Sequence, residues 1–289
     1  MLRMGLIGCA LLVAGTASAE TPAERGAYLV NTIMACGNCH TPRDAEGHPV
    51  AAKELSGGLT FDTPAFVATA PNITQDAETG IGRWSDAEIR RSLVEGMRPD
   101  HGRMAGVPLA AIMPANFYKA LLPDDLDAVV AYLRTVKPVR NEVPAPVYKA
   151  PVRRDAYPDA EAGFSKTMLA DPVKHGGYLV TIGHCMECHS SWSRGVSDFK
   201  GGLGRGGRAF PLREGVPDSP TSIAANITSH PARGIGGWSD GEIGRAITKG
   251  IARDGHALMP PMAFDYYAGI RDADLKAIIA YLRTVPALD

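Results

Sequence analysis

Cys36-Gly37-Asn38-Cys39-His40 decides how this chain is read, because it occurs twice. The second copy, Cys185-Met186-Glu187-Cys188-His189, begins 149 residues later (185 − 36). C-x-x-C-H is the attachment signature of c-type haem. Two thiols three positions apart on one helical turn can both add to porphyrin vinyl groups, and the imidazole that follows then faces the iron. A single C-x-x-C also fits a zinc knuckle or a thioredoxin-like dithiol. Neither needs the following His, and neither accounts for two copies in two repeated contexts. Cys36, Cys39, Cys185 and Cys188 are therefore the expected thioether positions, and His40 and His189 the expected proximal ligands. Two covalently attached haem c groups are the expected cofactors.

The repetition extends far beyond the motif. Gly26-Ala27-Tyr28-Leu29-Val30 matches Gly176-Gly177-Tyr178-Leu179-Val180 at an offset of 150 (178 − 28), which becomes 149 at the cysteines. Asn72-Ile73-Thr74 matches Asn226-Ile227-Thr228 at 154 (226 − 72), as does Gly80-Ile81-Gly82-Arg83-Trp84-Ser85-Asp86 with Gly234-Ile235-Gly236-Gly237-Trp238-Ser239-Asp240. From Met113 and Met262 the offset is 149 again, through Ala131–Val136 and Ala280–Val285. One domain has been duplicated, the second copy gaining five residues (154 − 149) in its Gly/Pro-rich loop and losing five before its Met.

Met1–Ala19 reads as a secretory signal peptide: Arg3, an apolar run from Leu6 to Ala14, and the A-x-A site Ala17-Ser18-Ala19, with cleavage after Ala19. No later segment approaches the roughly 18 apolar residues of a membrane span. An exported, periplasmic protein is expected, associated with membranes only through partners. Cleavage also removes Cys9, so both C-x-x-C pairs use every remaining thiol and none is left for disulfides. The 30 Lys and Arg nearly balance the 31 Asp and Glu, and no basic stripe stands out, which disfavours a nucleic-acid partner.

Each copy reads as helical with long loops. Leu126, Val129, Val130 and Leu133 recur at helical spacing, as do Leu275, Ile278, Ile279 and Leu282. Ser85-Asp86-Ala87-Glu88 and Ser239-Asp240-Gly241-Glu242 are capping boxes that predict helices from Asp86 and Asp240. The expected architecture is all-α: a domain over 20–136, a proline-rich linker over 137–172, and a second domain over 173–289. Proline density favours an extended connector, which Val143, Val147, Tyr148 and Tyr157 would anchor to both domains.

An iron with one His needs a sixth ligand or an open site, and that separates electron carriers from catalysts. Met113 and Met262 stand at equivalent positions, each 13 residues before the leucine opening the last apolar row (126 − 113; 275 − 262). A thioether suits reduced iron and raises its potential. Met259 is a rival to Met262, although the repeat aligns it with Ala110, and His184 beside Cys185 is an alternative ligand. Trp84 and Trp238 either donate an indole N–H to a propionate or pack. Asn72 and Asn226 form glycosylation sequons, but their repetition points to loop-fixing or propionate-facing amides. Arg43, Arg98 and Arg253 are candidate propionate partners or ordinary surface residues.

Taken together, the C-x-x-C-H-Thr-Pro-Arg stretch (Cys36–Arg43), the Asn-Ile-Thr loops, the Gly-Ile-Gly-x-Trp-Ser-Asp segments and the Met-Pro or Met-Ala sites resemble bacterial multihaem class I cytochromes c. Within that family the chain resembles the cytochrome subunits of periplasm-facing alcohol, gluconate and related dehydrogenases. The resemblance implies a class I fold in each half, first and last helices crossing near Tyr28/Leu133 and Tyr178/Leu282, His/Met ligation and electron transfer. Those subunits commonly carry three such domains, where this chain has two, and the second motif is followed by Ser190-Ser191-Trp192 instead of Thr-Pro-Arg. The expectation is a periplasmic dihaem carrier with no catalytic residue of its own. It would pass single electrons between a dehydrogenase and the respiratory chain, with a periplasmic dehydrogenase, a terminal oxidase or another cytochrome as partner. The alternative is a dihaem peroxidase or sulfur-compound oxidase with a displaceable axial ligand.

Overall fold

A computed structural model describes residues 19–45, 47–193, 195–211 and 220–289. The expected signal peptide falls outside the described residues, apart from Ala19 itself. The first copy of the repeat forms α1 (Pro22–Tyr28), α2 (Gly37–His40), α3 (Asp86–Glu95), α4 (Ala115–Tyr118) and α5 (Pro123–Leu133). After α6 (Pro158–Ala162), the second copy repeats the series as α7 (Pro172–Ile182), α8 (Cys185–His189), α9 (Asp240–Lys249), α10 (Phe264–Tyr267) and α11 (Asp272–Leu282). Among the described residues no helix is long and apolar enough to cross a membrane.

Close helix crossings anchor each half. A Cβ on Gly26 would lie 1.9 Å from the carbonyl oxygen of Ala128 in α5, and one on Gly176 would lie 1.8 Å from that of Ala277 in α11. Both positions tolerate only hydrogen, so α1 settles on α5 and α7 on α11 at backbone contact. The apolar rows of the last helices face inward: Val129, Val130, Leu133, Ile278, Ile279 and Leu282 are buried, with Leu126 and Leu275 packed at the margin. Both capping boxes form as expected. Ser85 and Ser239 hydroxyls accept from Glu88 and Glu242 N–H, and each Glu carboxylate accepts from its serine's N–H at 2.7 Å.

The change of offset from 150 to 149 has a structural counterpart. Between tyrosine and first cysteine the first copy holds one residue more than the second. In the second copy α7 runs on as a regular α-helix to Ile182, whereas in the first Leu29–Ile33 is a π-helical turn. The Met34 N–H reaches back five residues to the Leu29 carbonyl at 2.8 Å. A π-turn is how a helix absorbs one extra residue without breaking.

Strands are present but subordinate. β1 (Thr60–Asp62), β2 (Phe66–Thr69) and β3 (Val147–Tyr148) form one antiparallel sheet, with Phe61 opposite Ala68 and Phe66 opposite Tyr148. β4 (Ser191–Ser193) pairs with β5 (Val196–Asp198), and β6 (Ala209–Pro211) with β7 (Thr221–Ile223). These strands are too short to show the period-2 alternation that betrays a strand in sequence. The helical expectation therefore describes what builds the core, and the hairpins edge it.

The proline-rich stretch is more ordered than an extended connector. Besides β3 and α6 it includes a 3₁₀ turn at Met168–Ala170, and its final residue, Pro172, is already the first residue of α7. Of the expected anchors, Val143 and Tyr157 are buried and Tyr148 pairs in the sheet, while Val147 is 59% exposed. The Tyr157 ring lies 4.8 Å from that of Phe117 in the first half and meets Phe199 of the second edge-on at 5.1 Å. One aromatic cluster thus joins all three segments.

The halves also complete each other's helices. Neither α5 nor α11 has a side-chain N-cap. Instead the Tyr178 hydroxyl donates to Asp125 at 2.6 Å and accepts from the Leu122 N–H at 3.3 Å. Reciprocally, the Tyr28 hydroxyl donates to Asp274 at 2.5 Å and accepts from the Arg271 N–H at 3.3 Å. A capping box closes the loop between N-cap N–H and an N3 carboxylate directly. Here a tyrosine from the other half is inserted between them.

Candidate haem-binding sites

Each C-x-x-C-H motif forms its own short helix, α2 or α8, entered through a left-handed residue: Ala35 at φ 46° and His184 at φ 42°. Chain returning over the motif fixes it in place. In the first copy Gly57 N–H donates to the His40 carbonyl at 2.8 Å, and in the second Gly206 N–H donates to that of His189 at 2.7 Å. The residue after each histidine steadies the same loop: Leu55 N–H donates to the Thr41 hydroxyl, and Gly204 N–H to that of Ser190.

The imidazoles are oriented alike. His40 Nδ1 lies 2.7 Å from the Pro71 carbonyl oxygen and His189 Nδ1 lies 2.8 Å from that of Ala225. A carbonyl only accepts, so Nδ1 carries the proton and Nε2 keeps its lone pair for a metal, the usual second-shell arrangement of a ligating histidine. Burial pushes both imidazoles below their ordinary pKa, outweighing that hydrogen bond. Both are thus neutral at physiological pH, as coordination requires.

The four motif cysteines are free thiols. Burial pushes the Cys36, Cys185 and Cys188 thiols up to about 12 and Cys39 to about 11. A redox dithiol needs the opposite, a thiolate stabilised near neutrality. Among the described residues no three His, Cys, Asp or Glu side chains converge into a metal cage, so a zinc site is not built either. The residues fit thioether attachment to a porphyrin.

The two methionines occupy matching places. Met113 is half-buried against the core immediately before α4, and Met262 is half-buried immediately before α10. Met259 is 44% exposed. The loops that carry the methionines are braced differently. Arg154, from the proline-rich stretch, donates to the Leu109 carbonyl at 2.7 Å behind Met113, whereas Asn38, within the first motif, donates to the Pro261 carbonyl at 3.0 Å beside Met262. At the ends of α4 and α10, Tyr118 lies near Cys36 and Cys39 and Tyr267 near Cys185, Cys188 and Cys39, and burial raises both phenols far above their ordinary pKa. Among the described residues neither hydroxyl has a hydrogen-bond partner. In the sequence only their match across the repeat (267 − 118 = 149) sets these tyrosines apart.

The weaker candidates resolve into structural roles. Asn72 accepts from the Thr74 N–H and hydroxyl and donates to the Val139 carbonyl, and Asn226 does the same with Thr228 and Leu288. Both amides pin their loop to the chain leaving the last helix. Arg98 is spent on the Val107 and Pro108 carbonyls, and Arg253 faces Glu242. The ring of His184 contacts Tyr118 of the other half and pairs with Glu187 at 3.1 Å. Trp84 and Trp238 pack at the core margin, and neither indole N–H has a partner among the described residues.

Residues 23–137 and 173–286 match the sequence profile of the cytochrome c family, and the chain belongs to that family. Cytochrome c domains imply covalently bound haem c, and two domains fit two haems. The chain is similar to the cytochrome c subunit of a quinone alcohol dehydrogenase from Gluconacetobacter polyoxogenes, at 29% identity over 95% of this chain and 59% of that protein. It is 30% identical to a diheme c-type cytochrome from Cereibacter sphaeroides, over 88% of this chain and 83% of that one. The cytochrome c subunit of gluconate 2-dehydrogenase from Pantoea cypripedii is 27% identical over all of this chain and 65% of its own length. The chain thus spans somewhat over half the length of the alcohol dehydrogenase subunits it matches.

Proposed function

We propose that the chain is an exported dihaem electron carrier that passes single electrons from a periplasmic dehydrogenase towards the respiratory chain. Cys36 and Cys39 would hold the first haem and Cys185 and Cys188 the second. His40 and His189 would bind iron through Nε2, and Met113 and Met262 would supply the second ligand of each iron. The observation that carries this reading is the repeated Nδ1–carbonyl hydrogen bond at 2.7 and 2.8 Å, which prepares the same nitrogen for iron in both halves. When bound, each haem supplies a reversible one-electron iron couple. The chain's own part is to orient the imidazole and keep it neutral, and Met113 and Met262 would add a thioether ligand. The names of the relatives support a dehydrogenase as partner.

Optical and magnetic spectra of the reduced and oxidised holoprotein test the assignment. Two haems per chain, both low-spin with methionine ligation, are the expected result. A high-spin iron at either site would overturn the carrier reading in favour of a site open to a substrate. Co-purification from the native host with a dehydrogenase subunit tests the partner.

A further inference from the structure

The two haem motifs differ in the residues that follow them, yet each ends beside a guanidinium. In the first half, Arg43 donates to the Asn38 carbonyl at 3.3 Å, to the Asn38 side-chain oxygen at 2.7 Å and to the Gly47 carbonyl at 2.8 Å. In the second half the position equivalent to Arg43 is Trp192 (192 − 43 = 149), so that arginine is lost. A different residue replaces it. Arg208, aligned with Leu59 at the same offset, donates to the Glu187 carbonyl at 3.1 Å. Asn38 and Glu187 are the same place in the motif, the residue just before the second cysteine. A cation has therefore been kept on one carbonyl of the motif while the position supplying it moved along the chain.

The supports differ as well. Arg43 is exposed and held by polar contacts. Arg208 is half-buried between two rings, 5.3 Å from the Trp192 centroid and 5.1 Å from that of Phe210. The tryptophan that displaced one arginine thus stacks on the other. Each guanidinium thus sits on the carbonyl of the residue just before the cysteine that would carry the haem.

We propose that Arg43 and Arg208 are equivalent charge-placing residues that raise the midpoint potentials of the first and second haem, Arg208 more strongly than Arg43. This rests on the dihaem reading above. Ferric haem carries one more positive charge than ferrous haem, so an adjacent guanidinium disfavours the oxidised state. An exposed charge is screened by water and salt, whereas one shielded by two rings is screened less.

The test is a spectroelectrochemical titration of the purified holoprotein that resolves both haems. Arg208→Gln should lower one midpoint potential, raising the ferric-to-ferrous ratio of that haem about threefold at fixed ambient potential. The other haem should stay unchanged, and Arg208→Lys should keep most of the wild-type value. Arg43→Gln should lower the other potential by less. The decisive variant transplants the second arrangement into the first half: Arg43→Trp alone lowers the potential, and adding Leu59→Arg restores it. Haem content and low-spin spectra report separately on the dihaem reading, so a variant that keeps both haems low-spin isolates the charge effect. The proposal is overturned if Arg208→Gln leaves both potentials in place or moves both equally, or if Leu59→Arg fails to restore what Arg43→Trp removes.

Discussion

The hydroxyl of Tyr28 donates to Asp274 at 2.5 Å, joining residues 246 positions apart, and Tyr178 makes the matching bond to Asp125. The acceptors are not equally supported. Asp125 also takes two bonds from Arg25, at 2.8 and 3.0 Å, whereas Asp274 has His175 at 3.4 Å. Removing the Tyr28 hydroxyl thus leaves a buried carboxylate with a weaker remaining partner.

Tyr28→Phe should destabilise the protein by about 1.5–3 kcal/mol, the range for a buried hydrogen bond to a charged group, and Tyr178→Phe by about 1 kcal/mol. Chemical denaturation of both holoprotein variants measures the difference. Equal losses would show that Arg25 does not compensate.

The capping boxes predict an acid dependence. Backbone N–H groups of Ser85 and Ser239, with the serine hydroxyls, hold Glu88 and Glu242 below their ordinary value of 4.5. A carboxylate lowered on folding contributes stability that is complete above its unfolded pKa and lost as pH falls through its folded one. Ser239→Ala should therefore weaken the protein near neutral pH, and the gap from wild type should narrow as pH falls below about 4. A gap independent of pH would contradict the mechanism.

Glycine placement gives opposite expectations at two sites. Gly26→Ala would drive a methyl into the Ala128 carbonyl at 1.9 Å, and should cost more than about 3 kcal/mol and depress haem incorporation. A Cβ on Gly241, in the first turn of α9, meets nothing within 4 Å. Gly241→Ala should stabilise by about 0.5–1 kcal/mol through backbone entropy alone. Thermal unfolding of the two variants compares them directly.

Two neighbouring methionines separate by spectroscopy. Met262→Leu should convert one of the two haems to a high-spin or water-ligated form, while Met259→Leu leaves both spectra intact. The reverse outcome would move the ligand to Met259.

Much of this was legible beforehand because duplication wrote it twice. The helices after Ser85 and Ser239, the apolar rows ending at Leu133 and Leu282, and the matched Met113 and Met262 loops all follow from local spacing. The hairpins were not legible, since a strand as short as Val147–Tyr148 shows no periodicity. The one-residue change of offset was visible, but a number cannot say that it would become a π-turn over Leu29–Ile33. The bond from Tyr28 to Asp274 was not legible, because it joins segments far apart in the sequence. Arg208 escaped because alignment compares positions, and here the charge is retained while its position is not.

The reciprocal tyrosine caps have the form of an isologous interface, in which the same patch meets itself and each contact occurs twice. Such self-complementarity is the signature of a homodimer about a two-fold axis. The two copies meet as the protomers of such a dimer would, within one polypeptide. Arg25 where the second copy has His175, Leu122 where it has Arg271, and a π-turn in the first copy alone mark where the two halves differ.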